Sequence, residues 1–202
     1  MLKERGTEMT KYYNMADILE NRKSGGFELK RFTITKENRG FRNPLPYGDY
    51  VRLMEHGEVV MSDTPMEKRT NLRFINKAHG DVFIAGLGIG LIILPIQEKE
   101  EVTSITILEK NPEVIKMVGE QLPLNDKVTI IQGDVYEHTF PKGTKFNCLY
   151  FDIWNYVNND IYQEMKKLKR KYLKYKRTLA EDPDAFIKCW AEYHAKNNKH
   201  LI

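Results

Sequence analysis

Long apolar runs are missing from this chain of 202 residues. No stretch approaches the roughly eighteen residues that a membrane span needs, and the opening MLKERGTEMTKYY lacks the apolar segment of a secretion signal. Cysteine is scarce as well. Cys148 and Cys189 are the only two, they have no metal-like pairing, and Cys148 lies inside an apolar run. That usage excludes a disulfide framework and fits core thiols in a reducing, cytoplasmic setting. The five histidines share no ligand spacing, and His56 stands next to Gly57 where it suits a turn, so no metal site is expected.

What is present is ordinary for a soluble globular chain: 41% hydrophobic and 30% charged residues, enough to build one sizeable core. A chain of this length buries about 70% of its unfolded surface. The net charge of +4 is unevenly placed, since residues 161–202 hold eleven Lys/Arg against five Asp/Glu. The basic excess belongs to the tail.

Residues 81–90, DVFIAGLGIG, organise the rest. Val82, Phe83, Ile84 and Ala85 are a short continuous apolar run, the pattern of a strand buried on both faces of a parallel sheet. Gly86, Gly88 and Gly90 follow at alternate positions, and an apolar segment reading as a helix over residues 90–99 comes next, with Pro95 expected to bend it. Glycine is needed where a chain turns sharply and offers bare backbone to a ligand at a helix N-terminus. A second apolar strand, residues 104–109, ends in Glu109, placed to accept hydrogen bonds from both hydroxyls of a ribose. Leu91 occupies the position where the dinucleotide pattern GxGxxG wants its third small residue.

Before this turn the residues at 9–22 place Met9, Tyr12, Tyr13, Ala16 and Leu19 at helical spacing, with Ser24-Gly25-Gly26 as its end. Residues 26–35 alternate as a strand. Residues 50–55 and 58–62 flank His56-Gly57 as a hairpin. Thr64, Pro65 and Glu67 form a capping box that opens a helix with Leu72, Ile75 and Ala78 inward. Beyond the turn, Asn111-Pro112 starts a helix, residues 128–131 form a strand before Gly133-Asp134, and residues 146–151 form another before Asp152. Strands alternating with helices predict a parallel α/β sheet with ligands beyond the strands' carboxyl ends. Residues 159–177 carry an apolar stripe of Ile161, Met165, Leu168, Tyr172 and Tyr175, opposite eight basic residues between Lys166 and Arg177. Asp182-Pro183 predicts a final helix containing Phe186, Ile187, Trp190 and Tyr193, and no fifth strand is evident.

The GxGxG turn with Glu109, Gly133-Asp134 and Asp152 at successive strand ends resembles the S-adenosylmethionine site of class I methyltransferases. The resemblance covers residues 81–152. It implies a Rossmann-like parallel sheet, truncated after its fourth strand, with an N-terminal helix and β-hairpin extension and C-terminal helices. It implies three regions: residues 1–79, a cofactor-binding core at 80–157, and a basic helical extension at 158–202. The cofactor is then S-adenosylmethionine, or its product S-adenosylhomocysteine. Gly86, Leu87, Gly88 and Gly90 would pass its methionine portion, Glu109 would hold the ribose, and Lys110 and Asn111 would line the adenine. Gly133 leads to Asp134, which would bond the adenine amino group, with Val135 packed on the ring. Asp152 would face the sulfonium or the acceptor as the candidate catalytic residue. The hairpin before the core is similar in layout to that of the spermidine synthases, which implies aminopropyl transfer as an alternative, although their second aspartate is here Asn155. No Asn-Pro-Pro-Tyr-like segment supports methylation of a base amino group. Blander roles stay open: Gly133-Asp134 is also common turn chemistry, and Asp152 also suits a helix cap. The acceptor, small molecule or macromolecule, is undetermined, as is a homodimer. The basic stretch from Lys166 to Arg177 is a solvated face or a phosphate-tracking surface for nucleic acid, the latter giving a non-catalytic binding protein as a further alternative.

Overall fold

The computed structural model describes residues 12–40 and 45–199. The first four strands, β1 (Arg22–Ser24), β2 (Phe27–Ile34), β3 (Gly48–Glu55) and β4 (Glu58–Ser62), form an antiparallel sheet in that order. The turn between β3 and β4 is the expected one: His56 and Gly57 both have positive φ (49° and 89°), the geometry whose twist matches a tight hairpin. The helix expected over residues 9–22 is not found. Residues 9–11 lie outside the described residues; of residues 12–22, only Met15–Asp17 make a single 3-10 turn. Ser24 instead pairs with Phe27 across a turn at Gly25, whose φ is 56°. Tertiary bonds hold this segment extended: Asn21 accepts from the Arg31 N–H at 2.7 Å, and Arg31 Nε donates to the Leu19 carbonyl at 2.7 Å.

Helix α1 (Pro65–Lys77) follows Thr64. The capping box is not formed. Thr64 Oγ1 lies 3.0 Å from Ser62 Oγ instead of capping the helix, and the Glu67 side chain is buried away from it. Ile75 and Ala78 face inward as expected, but Leu72 is exposed, and Asn71 and Phe74 take its place in the interior. Strand β5 (Gly80–Ala85) then enters a second, parallel sheet with β6 (Val102–Glu109), β7 (Val128–Gln132), β8 (Cys148–Phe151) and β9 (Phe186–Cys189), in the order β7-β6-β5-β8-β9. This is the strand order of one Rossmann half extended by two strands, and the mixed α/β, Rossmann-like fold is thus the one expected.

Two expectations on the parallel sheet are corrected. It does not stop after four strands: Phe186–Cys189, read as helix from the spacing of Phe186, Ile187, Trp190 and Tyr193, runs parallel to β8 with Cys148 opposite Phe186. A four-residue run is too short for periodicity to separate strand from helix, and the exposed edge of β8 decides it. The helix after the glycine turn, α2, is only Ile93–Gln97, so Pro95 sits in its first turn, where no intrahelical donor is lost. Helix α3 (Pro112–Val114) runs on into a π-type turn at Ile115–Gly119, and α4 (Asn159–Tyr172) and α5 (Glu192–Lys196) complete the chain.

Strand β5 is the centre of the core. Its alternate residues serve two faces: Val82 and Ile84 pack with Leu29, Leu53, Ile75 and Ile93, whereas Phe83 and Ala85 pack with Met165, Leu168 and Tyr172 of α4. The Phe83 ring stacks on Tyr172 at 5.3 Å. Burying each such side chain contributes roughly 1.5–3 kcal/mol. Among the described residues no helix is long and apolar enough to cross a membrane.

Candidate functional site

The carboxyl ends of β5, β6, β7 and β8 open into one cleft of about 360 Å³. That is at the small end of the ~300–1,000 Å³ usual for small-molecule sites. The hairpin β3–β4 covers it, with Leu53, Glu55, Val60 and Met61 among the lining residues, and α1 contributes Glu67.

The glycine turn supplies backbone. Gly86 and Gly88, at φ 101° and 53°, line the cleft. A Cβ on Gly86 would collide with the Asp152 carbonyl oxygen, which leaves no room for a side chain there, and one on Gly88 would displace the Met61 sulfur. Leu87 and Gly90 do not line the cleft. Leu87 is buried in the core, and a Cβ on Gly90 would strike the Leu122 side chain, so that glycine packs against Leu122. What Leu87 offers is its N–H, which donates to Glu109 Oε2 at 2.9 Å.

Glu109 is the pivot. Its carboxylate is buried, and Oε1 accepts from the N–H of Asn111 at 2.8 Å and from Asn111 Nδ2 at 3.2 Å. These bonds tie the end of β6 to both the glycine turn and the start of α3. Gly133, whose N–H donates to the Glu109 carbonyl at 2.9 Å, brings Asp134 alongside. Asp134 Oδ1 accepts from the Tyr136 N–H at 2.8 Å, and Oδ2 pairs with Lys110 Nζ at 2.9 Å. Burial alone would raise the Asp134 carboxyl, but Lys110 and the Tyr136 N–H together hold it below the usual carboxylate range. Val135 is buried at the cleft wall, its carbonyl bonded to the Tyr172 hydroxyl at 2.9 Å.

Asp152 leaves the end of β8 anchored by its own N–H to the Ala85 carbonyl at 2.9 Å. Burial pushes its carboxyl up to about 7. Near it lies a residue that the sequence pattern assigned to a cap, Glu67. Helix α1 is held down on the sheet by the Phe74 ring stacked on Tyr150 at 4.0 Å and by the Tyr150 hydroxyl donating to Asn71 Oδ1 at 2.9 Å. Trp190, just past β9, adds a bond from Nε1 to Thr70 Oγ1 at 3.0 Å. This docking aims Glu67 into the cleft, where burial first and the neighbouring Asp152 charge second raise its carboxyl to about 8. Trp154, Trp190 and Glu164 also line the cleft and carried no recognisable signal; Glu164 accepts from Trp154 Nε1 at 3.2 Å and from the Tyr136 hydroxyl at 3.1 Å.

Away from the cleft, the apolar stripe of α4 is buried as expected, at Ile161, Met165, Leu168 and Tyr172. Its basic face is partly engaged: Lys169 pairs with Glu192 at 2.6 Å, and Lys171 donates to the Val135 and Tyr136 carbonyls.

No protein-family model matches this chain, and no curated protein does. Solved structures give distant matches. The chain is similar to the N-methyltransferase NodS from Bradyrhizobium japonicum WM9 in complex with S-adenosyl-L-homocysteine, at 11% identity and a TM-score of 0.44, over 57% of this chain and 59% of that one. It is similar to the plantazolicin methyltransferase BpumL in complex with the same molecule, at 13% identity and 0.40, over 55% of this chain and 48% of that one. A third, coclaurine N-methyltransferase bound to N-methylheliamine and S-adenosylhomocysteine, matches at 15% identity and 0.37, over 54% of this chain and 30% of that one. This chain therefore spans less than two thirds of each. Likenesses this distant concern outline only, and the chemistry has to come from the cleft.

Proposed function

We propose that this chain is an S-adenosylmethionine-dependent methyltransferase. One observation carries the reading: the bare backbone of Gly86 and Gly88 and the carboxylate of Glu109 face the same cleft, with Asp134 on the next strand end. The residues present fit an adenosine-bearing ligand. A side chain on Gly86 would meet the Asp152 carbonyl, and Glu109 Oε2, which accepts from the Leu87 N–H alone, keeps a lone pair for a hydroxyl donor. When bound, S-adenosylmethionine supplies a methyl group already activated by its sulfonium charge.

The protein's part is alignment and charge. Gly86 and Gly88 let the methionine portion lie on backbone, and Glu109 orients the ribose. Asp134 would accept from the adenine amino group, with Val135 as the apolar wall and Lys110 paired to Asp134 beside it. Asp152 and Glu67, which line the same cleft, would then face the acceptor, and holding the two reactants in line would lower the barrier by removing their freedom. Calorimetric titration with S-adenosylhomocysteine tests the reading. Glu109→Ala is expected to weaken binding about 30- to 150-fold, the loss of roughly 2–3 kcal/mol of charge-assisted bonding. Equal affinity in wild type and variant, with both chains folded by circular dichroism, would remove the role of Glu109.

A second reading, aminopropyl transfer from decarboxylated S-adenosylmethionine, is favoured by the way hairpin β3–β4 reaches into the cleft. The position expected to hold a second aspartate is the exposed Asn155, whose amide cannot take a proton from an amine. Incubation with putrescine and the decarboxylated donor separates the two readings, and no aminopropyl product is expected.

A further inference from the structure

Among the described residues, six carboxyl groups line the cleft, from Glu55, Glu67, Glu109, Asp134, Asp152 and Glu164, against the single ammonium of Lys110. Three of the six are occupied: Glu109 by N–H groups, Asp134 by Lys110 and the Tyr136 N–H, and Glu164 by Tyr136 and Trp154. Glu55 is exposed at the rim. Glu67 and Asp152 differ. Among the described residues neither carboxyl has a hydrogen-bond or ion-pair partner, although the Glu67 side chain faces the cleft from a residue only 9% exposed.

An unpaired carboxylate at Glu67, nine-tenths buried, is costly, and the charge of the half-buried Asp152 repels it as well. The raised proton affinity of both groups is the protein's own response to that cost. A bound cation would relieve it better, provided it brings N–H donors for both. A metal ion is the weaker candidate, because among the described residues no three His, Cys, Asp or Glu side chains are grouped to hold one. The walls are those of a site for an organic cation: Leu53, Val60, Met61 and Ile153 are apolar, and Trp154 and Trp190 supply aromatic surface that attracts ammonium groups.

We infer that Glu67 and Asp152 together form a subsite for a cationic primary or secondary amine, the acceptor substrate of this cleft, an inference that rests on the cofactor reading above. The two carboxyls hold the ammonium by charge-assisted bonds. One of them in its ionised form then takes a proton from it, the N–H bonding pair remaining on nitrogen as the lone pair an acceptor needs. Glu67 thereby becomes a specificity-determining residue contributed by α1 and not by the parallel sheet.

The test uses the full chain and three probes of one size, butylammonium, 1-butanol and butyrate, titrated with and without S-adenosylhomocysteine. Butylammonium is expected to bind at least about tenfold more tightly than 1-butanol, and butyrate not to bind. Glu67→Gln keeps the shape of the side chain and removes its charge. It is expected to weaken butylammonium about 10- to 100-fold while leaving 1-butanol and S-adenosylhomocysteine affinities unchanged, and Asp152→Asn should reproduce the loss for butylammonium. Equal binding of butylammonium and 1-butanol, or full butylammonium affinity in both variants, overturns the inference and leaves the cofactor reading in place. Butylammonium binding that needs Glu67 in a chain that never binds S-adenosylhomocysteine overturns the acceptor role and the cofactor reading together, leaving only an ammonium site.

Discussion

Replacing Glu67 by glutamine should change how the stability of the chain depends on pH. The Glu67 carboxyl moves from an ordinary value of 4.5 to about 8 on folding, through burial and then the Asp152 charge. Between those two values the unfolded chain is ionised at this position while the folded chain keeps the proton. Raising the pH through that window therefore favours unfolding. The stabilising contribution is complete below about 4.5 and lost as the pH approaches 8. A shift of this size corresponds to roughly 4–5 kcal/mol at most. Asp152 shares the loss, because its own proton is retained up to about 7 and ionising either group discourages the other. Glu67→Gln alone should then recover about 2–4 kcal/mol of the decline between pH 5 and pH 8. Tyr150 and Cys189, which interact with the pair, are pushed upward by burial and stay protonated throughout. His79, raised by its bonds to Lys77 and Asp182 against the opposing effect of burial, also loses stability with rising pH, but equally in both proteins. Urea unfolding at a series of pH values measures the difference. Parallel curves for wild type and variant would refute a buried, proton-retaining Glu67.

Two further outcomes follow from the glycine turn and the thiols. Gly86→Ala forces a side chain at φ 101° against the Asp152 carbonyl oxygen, and should cost about 1–3 kcal/mol of stability by chemical denaturation together with S-adenosylhomocysteine binding. An unaltered midpoint would show that the turn relaxes. Burial pushes the Cys148 thiol up to about 12, and the residue is fully buried although its sulfur lies 3.4 Å from His79 Nδ1. It should resist a thiol-specific disulfide reagent in the native chain and react only on unfolding, so rapid native labelling of Cys148 would contradict this.

Local patterns decided a good part of this molecule. A continuous apolar run at 82–85 is what a doubly buried strand requires, and it lies at the sheet's centre with all four residues inaccessible. His56-Gly57 between two apolar runs signals a tight hairpin, and both residues adopt the positive φ that such a turn uses. Acids following apolar strands at residues 109, 134 and 152 reach a common rim because parallel strands all end on the same side. Each of these depends on neighbours in sequence, and for that reason it was legible there.

Other features depend on partners far along the chain. Phe186–Cys189 becomes a strand because the edge of β8 offers unpaired backbone groups, a force that no four-residue pattern contains. Residues 15–24 obey Arg31 and the neighbouring strand over their own helical spacing. Leu87 and Gly90 carry the motif's letters, yet one faces the core and the other meets Leu122, since a turn presents only some of its residues to one side. Glu67 shows the division most clearly. An acid at the third position of a helix satisfies a capping rule by itself; only the docking of α1 through Phe74, Asn71 and Thr70 turns it into the cleft. Backbone conformation and strand burial are short-range consequences of residue type, whereas the surroundings of a carboxylate, and hence its chemistry, belong to the packed chain.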